Sequence, residues 1–372
     1  MKHQDNGILE SFNKVVGTSK NLSKTKLFVI ETANESINKA KLLPNPKPLV
    51  GNFWKEGELF ILFAFTGTGK TVFAFQIAMA ISEGKNILSD NDGNVILENQ
   101  CKAKKVLYYD AELSLKQFEN RYSNEYKNHI DFSENLYRMY INREAVLTDG
   151  QSIGDLIIPE IENAIKSHNI EVVIIDNLST LKEGIEVSKE AKPLMDQLVN
   201  IKHKHKVSLM IVGHTPKQHH YKEMVLADLQ GSSHLSIQLD TCVAMGNSAN
   251  DNTTKYLKEV KMRDGKYMFS GDNVISVEIE KSVMVKLKYL KQEDEQNHLR
   301  KIDADEVDQK VINCHNDGMK PSEIEQHVPY KKSKIYNVIK DYEAVEIMEK
   351  SSIHGNDGNN GSHGKQLKID KS

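Results

Sequence analysis

The sequence predicts an α/β fold: a mostly parallel sheet with helices on both faces, antiparallel strands on its C-terminal side, and a small α-helical helix-turn-helix module beyond it. Three observations predict it. Short apolar runs, ELFILFAF, KVLYYDAE, EVVIIDN and VSLMIVGHT, alternate with helical stretches. Those runs are nearly continuous in Val, Ile and Leu, as strands covered on both faces require. After Asp240 the runs TCVAM, KYLKEVKMR, KYMFS and VISVEIEKSVMVKLKYL are separated by NS, DG and GDN turn signals, which predicts an antiparallel meander closing the sheet.

Taken in order, residues 1–43 are polar and read as an N-terminal segment and connector. Pro44, Pro46 and Pro48 each bias the preceding residue toward extended backbone. The core is expected over 44–290. Its first helix, from Thr71 to about Glu83, contains VFAFQIAMAI, apolar on nearly every side, and is therefore expected inside the domain with Gly84 as its C-cap. The charged stretch KQEDEQNHLRK, 291–301, reads as a linker or a solvated helix. Helical periodicity returns over 302–349, with a turn at Asp317-Gly318, a helix from Pro321, a turn at Pro329 and a helix from about Ser333. Ser322 or the residues before it are expected to cap the second of these helices and Ser333 the third. Residues 350–372 are read as a disordered tail, and no internal repeat is visible.

Composition bounds the function. With 49 Lys+Arg against 52 Asp+Glu the net charge is −3, which excludes a globally basic nucleic-acid coat and confines any such contact to a local patch or loop. Cys101, Cys242 and Cys314 lie far apart, which argues against a disulfide scaffold or a zinc site and fits a reducing cytoplasm. No apolar run approaches the roughly 18 to 20 residues that span a bilayer. The start MKHQDNGILE lacks the apolar region of a signal peptide. A cytoplasmic protein with no membrane partner is expected.

The chemistry begins at Ala64-Phe65-Thr66-Gly67-Thr68-Gly69-Lys70-Thr71, between the first strand and its helix. This is a P-loop with Ala64 in the place of the first Gly of G-x-x-x-x-G-K-[ST]. Its glycines let successive backbone N–H groups curl round a β-phosphate, and the helix N-terminus adds positive potential. Thr66, Gly67, Thr68 and Gly69 are the expected cradle of ATP; Lys70 would reach the β and γ oxygens and the Thr71 hydroxyl would help to hold Mg²⁺. A carboxylate at the end of a neighbouring strand should complete the metal site, and EVVIIDN supplies Asp176. The strand KVLYYDAELS ends in Asp110 and Glu112, either of which could polarise an attacking water; alternation places both on one face and does not choose between them.

This order of motifs, followed by IVGHTPK, resembles the RecA-like ATPases and, among them, the RepA/DnaB-type hexameric helicases, over about residues 44–290. The resemblance implies that Glu112 is the catalytic glutamate, that His214 is a polar sensor, and that Gly231-Ser232 precedes a further strand. A K-x-R-x-G element is matched by Lys261, Arg263 and Gly265, and implies that Arg263, with Lys261, projects into the nucleotide site of the adjacent subunit of a homo-oligomer, with six subunits in the ring. The stretch from Thr215 to Leu229 lies where RecA-like proteins place a central DNA loop; Lys217, His219, His220 and Lys222 could contact phosphates of single-stranded DNA, with Tyr221 stacking on a base. Residues 1–43 are too few for the N-terminal helical domain of DnaB, so the smaller RepA-like type of plasmids and mobile elements is the nearer likeness.

In the C-terminal module Ile324, Val328, Ile335, Val338 and Ile339 have the spacing of a three-helix core. It resembles a helix-turn-helix whose last helix enters the major groove of duplex DNA, with Lys331, Lys332, Lys334, Asn337 and Lys340 as contacts. Cys314 and His315 lack further ligands at metal spacing, so Mg²⁺ is the one metal expected. The function so implied is a DNA-dependent ATPase, a ring helicase in replication or mobilisation of a plasmid or mobile element. The alternatives are an ATP-controlled DNA-binding regulator or loader without unwinding activity, and a RecA-like filament-forming recombination mediator.

Overall fold

The computed structural model describes residues 28–142, 144, 153–177, 188–215, 222–230, 235, 237–281, 283–300 and 304–354. The chain divides into two compact units, residues 1–45 and 46–372. In the first, helix α1 (Ala33–Ala40) is started by a capping box in which Thr32 and Glu35 bond each other's backbone N–H.

The second unit is built on a nine-stranded sheet. Its strands are β1 (Leu59–Ala64), β2 (Val106–Asp110), β3 (Leu136–Tyr140), β4 (Val172–Asp176), β5 (Ser208–His214), β6 (Thr241–Asn247), β7 (Thr254–Met262), β8 (Val274–Lys281) and β9 (Val285–Glu293). Across the sheet the order is β9-β8-β7-β6-β1-β5-β4-β2-β3. The six strands from β6 to β3 are parallel, while β7, β8 and β9 add antiparallel pairs. This is the RecA-like α/β architecture.

Alternation within β1 explains why the sheet is covered twice. Phe60, Leu62 and Ala64 pack with Phe73, Ala74, Ile77 and Ile81 of helix α2 (Lys70–Glu83) on one face. Leu59, Ile61 and Phe63 pack on the other against Ile157, Ile161 and Ile165 of α4 (Ile153–His168) and Leu194, Leu198 and Ile201 of α5 (Ser188–His205). A shorter helix, α3 (Leu115–Arg121), follows β2 and is capped by Ser114. Helix α2 is buried on nearly every side and ends at Gly84 with φ 70°, a left-handed cap that costs glycine little.

Three expectations change. TCVAM is not part of an antiparallel meander on both sides: β6 runs parallel to β1 and only its other edge is antiparallel. KYMFS forms no strand, because the buried Glu259 carboxylate accepts from the Met268 and Phe269 backbone N–H groups at 2.6 and 3.0 Å and holds a loop there. The stretch 291–301 is not a solvated helix: β9 continues to Glu293, and a 3-10 turn spans Glu295–His298 with Glu295 and His298 buried. Glu295 lies inside because Lys258 pairs with it and Met224 N donates to it at 2.8 Å.

Beyond the sheet, α6 (Ala304–Asn316), α7 (Pro321–Ile324) and α8 (Lys332–His354) share a core of Val307, Val311, Ile324, Val328, Tyr330, Ile335 and Ile339. Gly318 makes the intervening turn with φ 82°. Lys320, one of the residues before Ser322, is the cap of α7, its N–H donating to Glu323 at 2.8 Å; Ser333 does not cap α8, which already begins at Lys332. Among the described residues no helix is long and apolar enough to cross a membrane.

Candidate nucleotide site

The carboxyl end of the parallel strands gathers the chemistry. Strand β1 stops at Ala64 and the chain turns through Gly67 and Gly69, at φ 79° and 106°, before entering α2 at Lys70. A side chain at Gly69 would be strained by that φ, and its Cβ would lie 2.8 Å from Ile279 Cδ1. Thr68 closes the loop, its N–H and hydroxyl both donating to the Phe65 carbonyl, at 3.3 and 2.8 Å. Asn247 at the end of β6 donates to the Thr68 hydroxyl at 3.3 Å. Thr66 and Gly67 remain exposed at the tip.

Lys70 is buried, and its ammonium donates to the Phe65 carbonyl at 3.3 Å. Burial holds its pKa below the ordinary lysine value, against the pull of Asp176 and Glu112. Asp176, at the end of β4, is 4 % exposed. Burial pushes its carboxyl up to about 6, even though hydrogen bonds from Tyr108 and Thr71 and the charge of Lys70 favour the ionised form. The Tyr108 hydroxyl donates at 2.6 Å, and burial followed by the charge of Asp176 keeps that phenol well above its usual range, so it remains a donor. Among the described residues no cation stands within ion-pair distance of Asp176. A buried carboxylate bonded to the Thr71 hydroxyl and lacking a counter-cation suits a magnesium site, and the glycine curl with its buried lysine suits a triphosphate. The residues present therefore fit ATP and Mg²⁺.

The structure separates the two carboxylates that alternation left tied. Asp110 is consumed structurally: Oδ1 accepts from the N–H groups of Glu112 and Leu113 at 3.1 and 3.0 Å, while Oδ2 takes Arg138 Nε and Nη2 at 3.0 and 2.8 Å. Arg138, on β3, also lies over the rings of Phe118 and Tyr140. Glu112 is exposed at the site, and Asn177 Nδ2 donates to its Oε1 at 2.6 Å. His214 ends β5 in register with Ala64 of β1. Burial, then the nearby Lys70 charge, hold its imidazole below the usual histidine pKa.

Lys261 and Arg263 lie at the other end of the sheet. Met262 pairs with Thr241 and Thr241 with Phe60, four residues or roughly 13 Å of strand from Ala64 and the P-loop. Within this chain Arg263 donates from Nη1 to Asp240 Oδ1 at 3.0 Å and from Nη2 to the Ile237 carbonyl at 2.6 Å, with half of its side chain exposed. It cannot serve the phosphate loop of its own chain.

Lys217, His219, His220 and Tyr221, with Gly231 and Ser232, lie outside the described residues. Lys222 is exposed and 3.6 Å from Asp228. On α8, Lys332, Lys334 and Asn337 are exposed while Ile335 and Ile339 face the core. The Lys332 ammonium lies 5.9 Å from the Tyr336 ring centre and that of Lys334 4.5 Å from Tyr330.

The sequence reading missed Tyr108, Asn177, Arg138 and Asn247. Asn177 was visible beside Asp176, but its partner is 65 positions away. Tyr108 reads as one more apolar strand residue.

The RecA-like sheet with a glycine loop leading into a helix, and a buried aspartate one strand removed, defines the P-loop ATPase class. The AAA domain family matches residues 30–220, just over half of the chain, and the chain belongs to that family. The matched span holds Lys70, Glu112, Asp176 and His214 and ends before Lys261 and Arg263. No curated protein matches the sequence. Among solved structures, a KaiC-like protein from the hyperthermophilic archaeon Pyrococcus horikoshii OT3 is similar, at 14% identity over 64% of this chain and 93% of that one, with a TM-score of 0.43.

Proposed function

We propose that this chain is a DNA-dependent ATPase that works as a RepA/DnaB-like ring helicase, coupling ATP hydrolysis to movement on single-stranded DNA in the replication or mobilisation of a plasmid or mobile element. The observation that carries the reading is the convergence of Lys70, Thr71, Asp176, Glu112 and His214 at one end of the parallel sheet. Lys70 and the loop N–H groups bind phosphate, and Thr71 and Asp176 would hold Mg²⁺ through oxygen, which would supply charge neutralisation at the phosphates. Glu112 orients the attacking water, and His214 reports the loss of the γ-phosphate to the loop that follows β5. Arg263, unable to reach its own loop, acts with Lys261 on the nucleotide of a neighbouring protomer, which requires a homo-oligomer, in this reading a hexamer.

Single-stranded DNA would run along Lys217, His219, His220, Tyr221 and Lys222. The exposed lysines at the start of α8 favour an added contact with duplex DNA, the feature a regulator or loader would also use. The test is unwinding of a forked DNA by the full chain with Mg-ATP, with negative-stain images of the same sample. Strand separation and closed rings are expected. ATP-dependent binding without unwinding would replace the helicase by the regulator, and open filaments would replace it by the recombination mediator.

A further inference from the structure

Glu112 stands on a turn, exposed, and a flexible carboxylate there would sample many rotamers. Among the described residues one side-chain contact restrains it. Asn177 follows Asp176 directly, is 3 % exposed, and its Nδ2 donates to Glu112 Oε1 at 2.6 Å. The backbone places the two side chains opposite each other: Asp110 pairs with Asp176 in the β2–β4 register, and Ala111 N donates to the Asp176 carbonyl at 3.2 Å, so the residues that follow, Glu112 and Asn177, emerge side by side. Glu112 Oε2 has no partner among the described residues.

We propose that Asn177 is a positioning residue for hydrolysis: its amide pins one oxygen of Glu112 so that the other is aimed at the water attacking the γ-phosphate. The inference rests on the reading of Glu112 as the water-orienting group. Its physical basis is specific to an amide. A buried asparagine offers two N–H donors that cannot ionise, so it can hold a carboxylate beside a second carboxylate without competing for the metal or adding a third negative charge. An aspartate there, of the same shape but anionic and without a donor, would repel Glu112. Because Asn177 bonds the water-orienting carboxylate and the phosphates are held by Lys70 and the loop, the effect should fall on turnover and not on nucleotide affinity.

The experiment compares the full chain with Asn177→Ala, Asn177→Asp and Glu112→Gln, measuring ATP binding, the kcat and KM of hydrolysis, and Tm. Asn177→Ala is expected to lower kcat about tenfold or more, with ATP binding and KM within about twofold of the parent, and the near-isosteric Asn177→Asp to lower it further. Glu112→Gln is expected to bind ATP and hydrolyse it scarcely at all. If both Asn177 variants keep parental kcat while Glu112→Gln is inactive, the positioning role is overturned and the reading of Glu112 survives. If kcat, ATP affinity and Tm fall together in both Asn177 variants, Asn177 is a packing residue and the proposal is likewise overturned. Full turnover by Glu112→Gln removes the reading itself, and the proposal with it.

Discussion

The two ends of the parallel sheet carry the same kinds of residue in opposite states. At the end away from the phosphate loop, Asp240 accepts from Leu59 N at 2.8 Å, Lys202 Nζ at 2.9 Å and Arg263 Nη1 at 3.0 Å. Its charge is fully answered within the chain. At the loop end, Asp176 is buried with two hydroxyl partners and no paired cation among the described residues, and Lys70 is buried against a carbonyl without a carboxylate in ion-pair contact. Charges that a fold answers internally are structural; charges it buries and leaves open cost stability and are retained for a ligand that answers them.

The largest expected effect tests whether the answered end also serves a neighbour. Arg263→Ala should leave nucleotide binding intact and lower hydrolysis by about a thousandfold, on the scale of other trans-acting arginines. Turnover at the parental rate would confine Arg263 to its bond with Asp240.

Next in size is a pair of stability changes of opposite sign. Asp240→Ala strips Lys202 and Arg263 of their partner and should cost about 3 to 5 kcal/mol, read as a lower Tm. Asp176→Asn should raise the Tm of metal-free protein at neutral pH while abolishing Mg-dependent hydrolysis. The sign follows from the raised pKa: burial pushes Asp176 up to about 6 in the folded chain, against the ordinary aspartate value of 3.8. The folded state therefore takes up the proton first. The contribution of this carboxyl to stability is greatest below about pH 4 and is lost as pH rises through about 6, by roughly 3 kcal/mol for a shift of that size. The advantage of the Asn variant should accordingly be present at pH 7 and vanish near pH 4, in melts run with chelator. Equal and opposite behaviour of the two variants would sharpen the contrast between the ends, and destabilisation by both would break it.

The smallest effect belongs to the helical module. Removing Lys332 and Lys334 together should weaken duplex DNA binding uniformly across sequences and flatten the slope of log affinity against log salt by about 2. An unchanged slope would remove that face from DNA contact.

Much of the loop end was legible because its signals are local. The P-loop, its helix and the strands ending at Asp110, Asp176 and His214 each announce themselves within about ten residues. The choice between Asp110 and Glu112 was not local: alternation tied them, the family resemblance favoured Glu112, and in the structure it is Arg138 on the adjacent strand β3 that takes Asp110. Tyr108 and Asn177 escaped for the same reason, since each acquires its meaning from a partner strand. The misread stretches, KYMFS and 291–301, share a cause as well. In both, a buried carboxylate, Glu259 or Glu295, finds partners that no sequence window contains.

The central claim is that Lys70 and Asp176 are left open to receive Mg-nucleotide. Calorimetric titration of the full chain with a slowly hydrolysed ATP analogue, with and without Mg²⁺, tests it most directly. One saturable, Mg-dependent site per chain, lost on Lys70→Ala without a fall in Tm, is the predicted result. Binding that is absent from the parent, or that survives unchanged in Lys70→Ala, would contradict it.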